Sequence, residues 1–180
     1  MVLLDSNIFI IDRFYRKDDL YPSNGAFIER LAEFESGISI FTLLEAAGVA
    51  SFNLSPKECE QWLLRFPTVY PVAILSASGL AEKNAEEWMR KFIEEVAANI
   101  SKRMSFGDAI LLREAESLEV EAIITWNTKD FAKRTPRPVL TPSAFLRKLP
   151  SLAGTPAVPP QNGERPSLTA VVNWTAAIKK

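Results

Sequence analysis

Five oxygen-bearing side chains, Asp5, Glu45, Asp108, Asn127 and Asp130, stand where they could act together. Asp5 ends the apolar run Met1-Val2-Leu3-Leu4, and Asn127 and Asp130 come just past Ile123-Ile124-Thr125. Glu45 lies one turn into a helix expected after the run Ile38-Ser39-Ile40-Phe41, and Asp108 falls in the first turn of a helix opened by Ser105. If those runs are parallel strands, all five positions reach the carboxyl end of one sheet, where open α/β sheets bind their ligands. Several carboxylates cannot all stay ionised at close range without an opposite charge. A hard divalent cation supplies that charge and takes oxygen ligands, Mg²⁺ being held by one or two carboxylates plus water. Such an ion lowers the pKa of bound water and stabilises charge during in-line attack on a phosphodiester.

The chain contains no histidine. Ser-His-Asp and Cys-His nucleophiles, His-ligated zinc and imidazole acid–base catalysis are therefore excluded. Each carboxylate also has a plainer reading. Asp5, followed by Ser6-Asn7, could cap a helix. Glu45 could face solvent on its helix. Ser105-Phe106-Gly107-Asp108 has the form of a capping signature, with Asp108 favoured by the helix dipole. Asn127 and Asp130 are common turn residues. The residues alone leave these alternatives open, and leave open which of Asn127 and Asp130 would meet a metal.

The elements that must position these residues follow from apolar spacing. Residues 1–4 read as a buried strand and 6–14 as a helix, with Ile8, Ile10, Ile11 and Phe14 inward. A second helix is expected after Pro22-Ser23, through Phe27, Ile28, Leu31 and Phe34, ended by Gly37. A strand over 38–41 leads into a helix over 43–50 that Thr42 could cap, and Ser55-Pro56 opens another with Glu58 placed for a capping box. Residues 68–73 form a weaker strand, since Pro71 suits an edge. A long helix is expected over about 77–100, with Leu80, Trp88, Phe92, Ile93 and Val96 as its stripe. A helix from Ser105 to Leu118, a strand over 120–125, a short strand over 138–140 and a helix from Pro142 complete the pattern. Strands alternating with helices indicate an α/β fold with a mostly parallel sheet covered on both faces.

Taken in order, four segments resemble the PIN domains of VapC-type toxins from toxin–antitoxin pairs. They are Val2-Leu3-Leu4-Asp5-Ser6-Asn7-Ile8, Phe41-Thr42-Leu43-Leu44-Glu45-Ala46, Phe106-Gly107-Asp108-Ala109-Ile110-Leu111, and Ile123-Ile124-Thr125-Trp126-Asn127-Thr128-Lys129-Asp130-Phe131. The segment 138–146 resembles that family's closing strand and helix, so the resemblance covers about residues 1–148. It implies a three-layer α/β/α sandwich with Mg²⁺- or Mn²⁺-dependent endoribonuclease activity. It also implies a homodimer and a cognate antitoxin. By the same resemblance Asp5 and Asp108 match the central metal ligands and Glu45 the second acidic position. Asp130 would join the acidic cluster directly or through water, Asn127 would hydrogen-bond or ligate, and Thr125 would orient a carboxylate or a bound water.

RNA needs positive contacts outside an acidic pocket. The candidates are Arg13, Arg16 and Lys17, then Lys102 and Arg103, then Lys129, Lys133, Arg134 and Arg137. Such clusters are also ordinary solvated surface. Tyr15, Phe106 and Trp126 could stack on unpaired bases, or in the last two cases belong to the core. A non-catalytic RNA-binding or assembly module is the competing reading. A phosphotransferase of the Asp-x-Asp kind is disfavoured by Asp5-Ser6-Asn7.

The 180 residues suit one domain over 1–149, with a Pro-rich tail over 150–180 that holds 5 of the 12 prolines and reads as linker or as a docking segment. Cys59 is the sole cysteine, which leaves no intrachain disulfide or thiolate zinc cage. With no secretory pattern at residues 1–5 and no long apolar span, a cytoplasmic protein is expected.

Overall fold

The computed structural model describes residues 1–80 and 84–149, so the tail expected over 150–180 lies outside the described residues. Five strands, β1 (Val2–Leu4), β2 (Ser36–Ser39), β3 (Ala73–Leu75), β4 (Ala122–Ile124) and β5 (Val139–Leu140), form one wholly parallel sheet in the order β3-β2-β1-β4-β5. The helices are α1 (Ser6–Phe14), α2 (Tyr21–Ile28), α3 (Ile40–Ala50), α4 (Pro56–Val69), α5 (Ala85–Ser101), α6 (Phe106–Ser117), α7 (Thr128–Phe131) and α8 (Pro142–Leu146). Successive strand residues point to opposite faces, and the core divides accordingly. Val2, Leu4, Ile38 and Ile124 pack with Ile8 and Phe9 of α1, Phe27 of α2, Leu43 of α3 and Phe66 of α4. Leu3 and Ile123 pack on the other side with Val96 of α5, Leu111 and Leu112 of α6 and Phe131 of α7. The result is the expected three-layer α/β/α sandwich.

The order of the strands places the site. From β1 the chain builds β2 and β3 to one side, then crosses to build β4 and β5 on the other. The reversal falls between β1 and β4, whose register pairs Leu4 with Ile124. A crevice opens beyond the carboxyl ends of strands at such a switch point. The residues that follow these two strands are Asp5 and Thr125.

Several local expectations are corrected. In α1 the deepest side chains are Ile8, Phe9 and Ile11, while Ile10 and Phe14 are only half-buried. The second helix ends at Ile28, and Leu31–Glu33 is a separate 3-10 turn. β2 begins at Ser36 and includes Gly37, which pairs with Leu3 and Ala73 and whose missing side chain leaves room for Leu75, 2.7 Å from where a Cβ would stand. Ile40 and Phe41 already belong to α3, whose cap is Ser39 and not Thr42: the Ser39 hydroxyl accepts from the Thr42 amide at 3.1 Å. The Ser55–Glu58 capping box forms as expected, and α4 continues through Pro67 to Val69, which moves the edge strand on to Ala73–Leu75.

The long helix starts only at Ala85, capped by Asn84. Leu80 precedes it and Ile93 is exposed, so the buried stripe is Trp88, Phe92 and Val96. Irregular chain before it is held by side chains. The Ser78 carbonyl accepts from Trp88 Nε1 (2.8 Å) and from the Arg113 guanidinium (3.1 Å), and the Ser78 amide donates to Glu114 (3.1 Å). No helix among the described residues is long and apolar enough to cross a membrane.

Candidate active site

Asp5 occupies the N-cap position of α1 in an extended conformation, yet its side chain makes no capping hydrogen bond. Its carboxylate faces the switch point instead. Thr125 Oγ1 donates to Oδ2 at 2.6 Å, Asn7 Nδ2 to the same oxygen at 2.7 Å, and the Ser6 hydroxyl to Oδ1 at 3.3 Å. Thr125 is fully buried and also accepts from the Asn127 amide (2.9 Å) and from Asn7 Nδ2 (3.0 Å). Asp5 is only 6% exposed. Burial, reinforced by repulsion from Glu45 and Asp108, raises its pKa from 3.8 to about 6, against the opposing hydrogen bond from Thr125.

Glu45 and Asp108 arrive from two helices. Residue Glu45 is exposed overall, but its carboxyl group lies over the first turn of α6. A Cβ on Gly107 would sit 2.9 Å from Glu45 Cδ, so glycine is what permits this approach. Desolvation raises the Glu45 pKa, opposed by a hydrogen bond with Ser6 and reinforced by Asp108. Asp108 fulfils the capping expectation: Ser105 Oγ accepts from its amide (3.2 Å) and donates to its carboxylate (2.6 Å). It also belongs to the acidic group, since burial and Asp130 push its pKa up while Ser105 and Arg134 pull it down. The cap and the site are two uses of one carboxylate.

Asn127 and Asp130 bracket α7, and the Asn127 side-chain amide donates to the Asp130 carboxylate. Asp130 is close enough to Asp108 for its charge to raise the Asp108 pKa. Arg134, among the basic candidates, is a brace: its guanidinium donates to the carbonyls of Lys102 (3.0 Å), Arg103 (3.3 Å) and Asp130, joining α7 to the loop before Asp108. Arg137 likewise donates to the Val120 carbonyl at 2.9 Å. Lys102, Arg103, Lys129 and Lys133 are exposed at this end of the molecule. α1 carries Arg13 about 12 Å along its axis from Asp5, and its charge acts on Glu58 and Tyr70. Arg16 and Lys17 follow it, exposed, beyond the helix end.

Two participants were not singled out from the sequence. Ser6 and Asn7 were read only as neighbours that make Asp5 a cap, whereas both donate to its carboxylate. Their signal was the polar pair directly after a strand-ending Asp. Trp126 is committed elsewhere, its Nε1 donating to the buried Asn24 at 2.8 Å.

Among the described residues no three carboxylates or thiols are gathered tightly enough to hold a metal by themselves. The donor set still fits a hard cation, because none of Asp5, Glu45 and Asp108 forms an ion pair among the described residues. All three are pushed towards protonation, first by burial and then by a neighbouring carboxylate, which for Asp108 is Asp130, and one or two carboxylates completed by water satisfy Mg²⁺.

No family model and no curated protein matches the chain. Solved structures do. FitAB bound to an IR36 DNA fragment superposes with a TM-score of 0.55 at 15% identity, over 79% of this chain and 96% of that one. VapBC2 from Rickettsia felis bound to a DNA fragment from their promoter gives 0.53 at 19%, over 78% and 97%. FitAcB from Neisseria gonorrhoeae gives 0.53 at 14%, over 79% and 98%.

The fold is that of a PIN domain. The resemblance drawn from four short sequence segments and a backbone likeness over 78–79% of the chain lead to the same PIN-like sandwich.

Proposed function

We propose that this PIN-type chain is an endoribonuclease whose Asp5, Glu45 and Asp108 hold a divalent cation, Mg²⁺ or Mn²⁺. The observation that carries the reading is the environment of Asp5: a buried carboxylate with no ion-pair partner among the described residues, held at the switch point by Thr125 and making no capping hydrogen bond. The cation would neutralise these carboxylates and, when bound, lower the pKa of water and stabilise charge on the scissile phosphate.

The chain's own residues perform the positioning. Thr125 and Asn7 clamp one oxygen of Asp5 and Ser6 contacts the other, which fixes the carboxylate at the switch point. Gly107 lets Glu45 close over α6. Ser105 fixes Asp108, and Arg134 ties the Asp130 turn to the same loop. Exposed Lys102, Arg103, Lys129 and Lys133 would meet the phosphate backbone on either side of the acidic pocket. Fold likeness to FitAB and VapBC2 supports a place in a toxin–antitoxin pair with an antitoxin partner. Exposed Met89, Ile93 and Ile100 on α5 offer apolar surface for a homodimer.

The test is incubation of purified protein with RNA, with and without Mg²⁺ or Mn²⁺. Cleavage that needs the metal and disappears in Asp5→Asn and Asp108→Asn supports the reading. Cleavage that persists in EDTA or in those variants rejects it. RNA binding with no metal uptake would favour a non-catalytic module instead.

A further inference from the structure

Phe106 is the first residue of α6, two positions before Asp108, and it is 65% exposed. A lone exposed ring needs no account, but one that continues an apolar groove beside a group of carboxylates forms a patch of the kind that marks a binding site. Among the described residues it has no aromatic partner, although most other rings in the protein are paired. It borders a groove of about 420 Å³ between α3, α5 and α6, whose other walls include Phe41, Leu44, Phe92 and Ile110. Phe92 is braced, stacked on Trp88 with centroids 5.0 Å apart and covered by the Arg113 guanidinium at 5.4 Å. Phe41 packs on Phe92 at 5.2 Å. The groove therefore has a stiff aromatic floor and one free ring at its rim.

Its lining also includes Gly107 and Glu45, so the groove meets the acidic group at Glu45. We infer that this groove seats one unstacked base of the RNA strand, with Phe106 as the stacking face, next to the phosphate held at the carboxylates. The inference rests on the nuclease reading and adds a base-stacking subsite to it. Three observations select a nucleobase as the occupant. Phe106 shares the lining of this groove with Gly107 and with Glu45 of the acidic group, so a strand whose phosphate meets the carboxylates brings its adjoining base here. The exposed Lys102 and Arg103 stand just before Met104-Ser105-Phe106 and would supply charge for the neighbouring phosphates. Finally, an apolar slot with an exposed ring suits a π-face of any base, which is how single strands are gripped without base-edge readout.

The experiment compares binding of a short single-stranded RNA with that of an abasic ribose-phosphate oligomer of equal length, in Ca²⁺, by fluorescence anisotropy. The wild type, Phe106→Ala and Phe106→Tyr are measured, and Phe106 is exposed enough for both variants to fold. The wild type should prefer the RNA by at least about fivefold, the lower end of the stacking contribution per base. Phe106→Ala should lose that preference and Phe106→Tyr should keep it. A preference absent in the wild type, or unchanged in Phe106→Ala, overturns the inference. So does a dimer that dissociates in Phe106→Ala while RNA preference stays intact, which would give the groove to a second copy. Metal-dependent cleavage with a preference indifferent to Phe106 sinks the subsite and leaves the nuclease reading standing. A Phe106-dependent preference without any cleavage does the reverse.

Discussion

Replacing Asp5 by Asn should make the metal-free protein more stable, not less. Folding moves the Asp5 pKa from 3.8 to about 6. A carboxyl so displaced costs about 3 kcal/mol once ionised, at about 1.4 kcal/mol for each tenfold change in proton affinity. The sign follows from which state holds the proton more tightly. Here it is the folded state, so the stabilising contribution of the Asp5 proton is complete below pH 3.8 and is lost as pH rises through about 6. Asparagine keeps a carbonyl oxygen for the Thr125 hydroxyl and Asn7 amide, and it carries no charge to repel Glu45 and Asp108. Part of the gain will be offset where its amide replaces an oxygen, leaving about 2 kcal/mol. For a chain of this size that corresponds to a Tm higher by roughly 4–8 °C. The assay is thermal melting of wild type and Asp5→Asn in EDTA, at pH 4 and pH 7.5. The difference should be clear at pH 7.5 and nearly vanish at pH 4. An Asn variant that melts at or below the wild type at pH 7.5, with the same gap at pH 4, would show Asp5 to be a structural cap and refute the argument.

Other substitutions separate positioning from folding. Thr125→Val removes the donor to Asp5 and the acceptor of the Asn127 amide. It should cost about 1–3 kcal/mol in chemical denaturation and reduce RNA cleavage by more than that loss of fold explains. Gly107→Ala should leave stability within about 1 kcal/mol, since only the flexible Glu45 carboxyl must move, while cleavage falls sharply. Glu114→Ala strands the buried Arg113, whose guanidinium then keeps Glu95 as its acidic partner among the described residues. The cost should be about 3–5 kcal/mol, read by denaturant midpoint, and the irregular chain around Ser78 should lose hydrogen-exchange protection.

The framework of the sheet was legible because its strands are short apolar runs ended by polar residues: Leu4 before Asp5, Ile124 before Thr125. Caps made by local side chains, Ser55 with Glu58 and Ser105 with Asp108, could also be read. What escaped depends on contacts across the sheet. Gly37 resembled a breaker, yet it sits inside β2, where its missing side chain leaves room for Leu75 of β3. The stretch around Ser78 resembled a helix by its apolar spacing, yet Trp88, Arg113 and Glu114 draw its backbone out of one. At the site, Asp5 and Asp108 both carried capping alternatives. Tertiary hydrogen bonding removes the capping role from Asp5 and retains it for Asp108. Asn7 could not be found as a clamp without knowing that Thr125 stands beside it.

Calorimetric titration of Mn²⁺ into the wild type, Asp5→Asn and Asp108→Asn at pH 7.5 tests the carboxylate-held cation most directly. Binding by the wild type, at least about tenfold weaker in each variant, is the predicted result. An isotherm that is the same in all three proteins, or no uptake by the wild type, would contradict it.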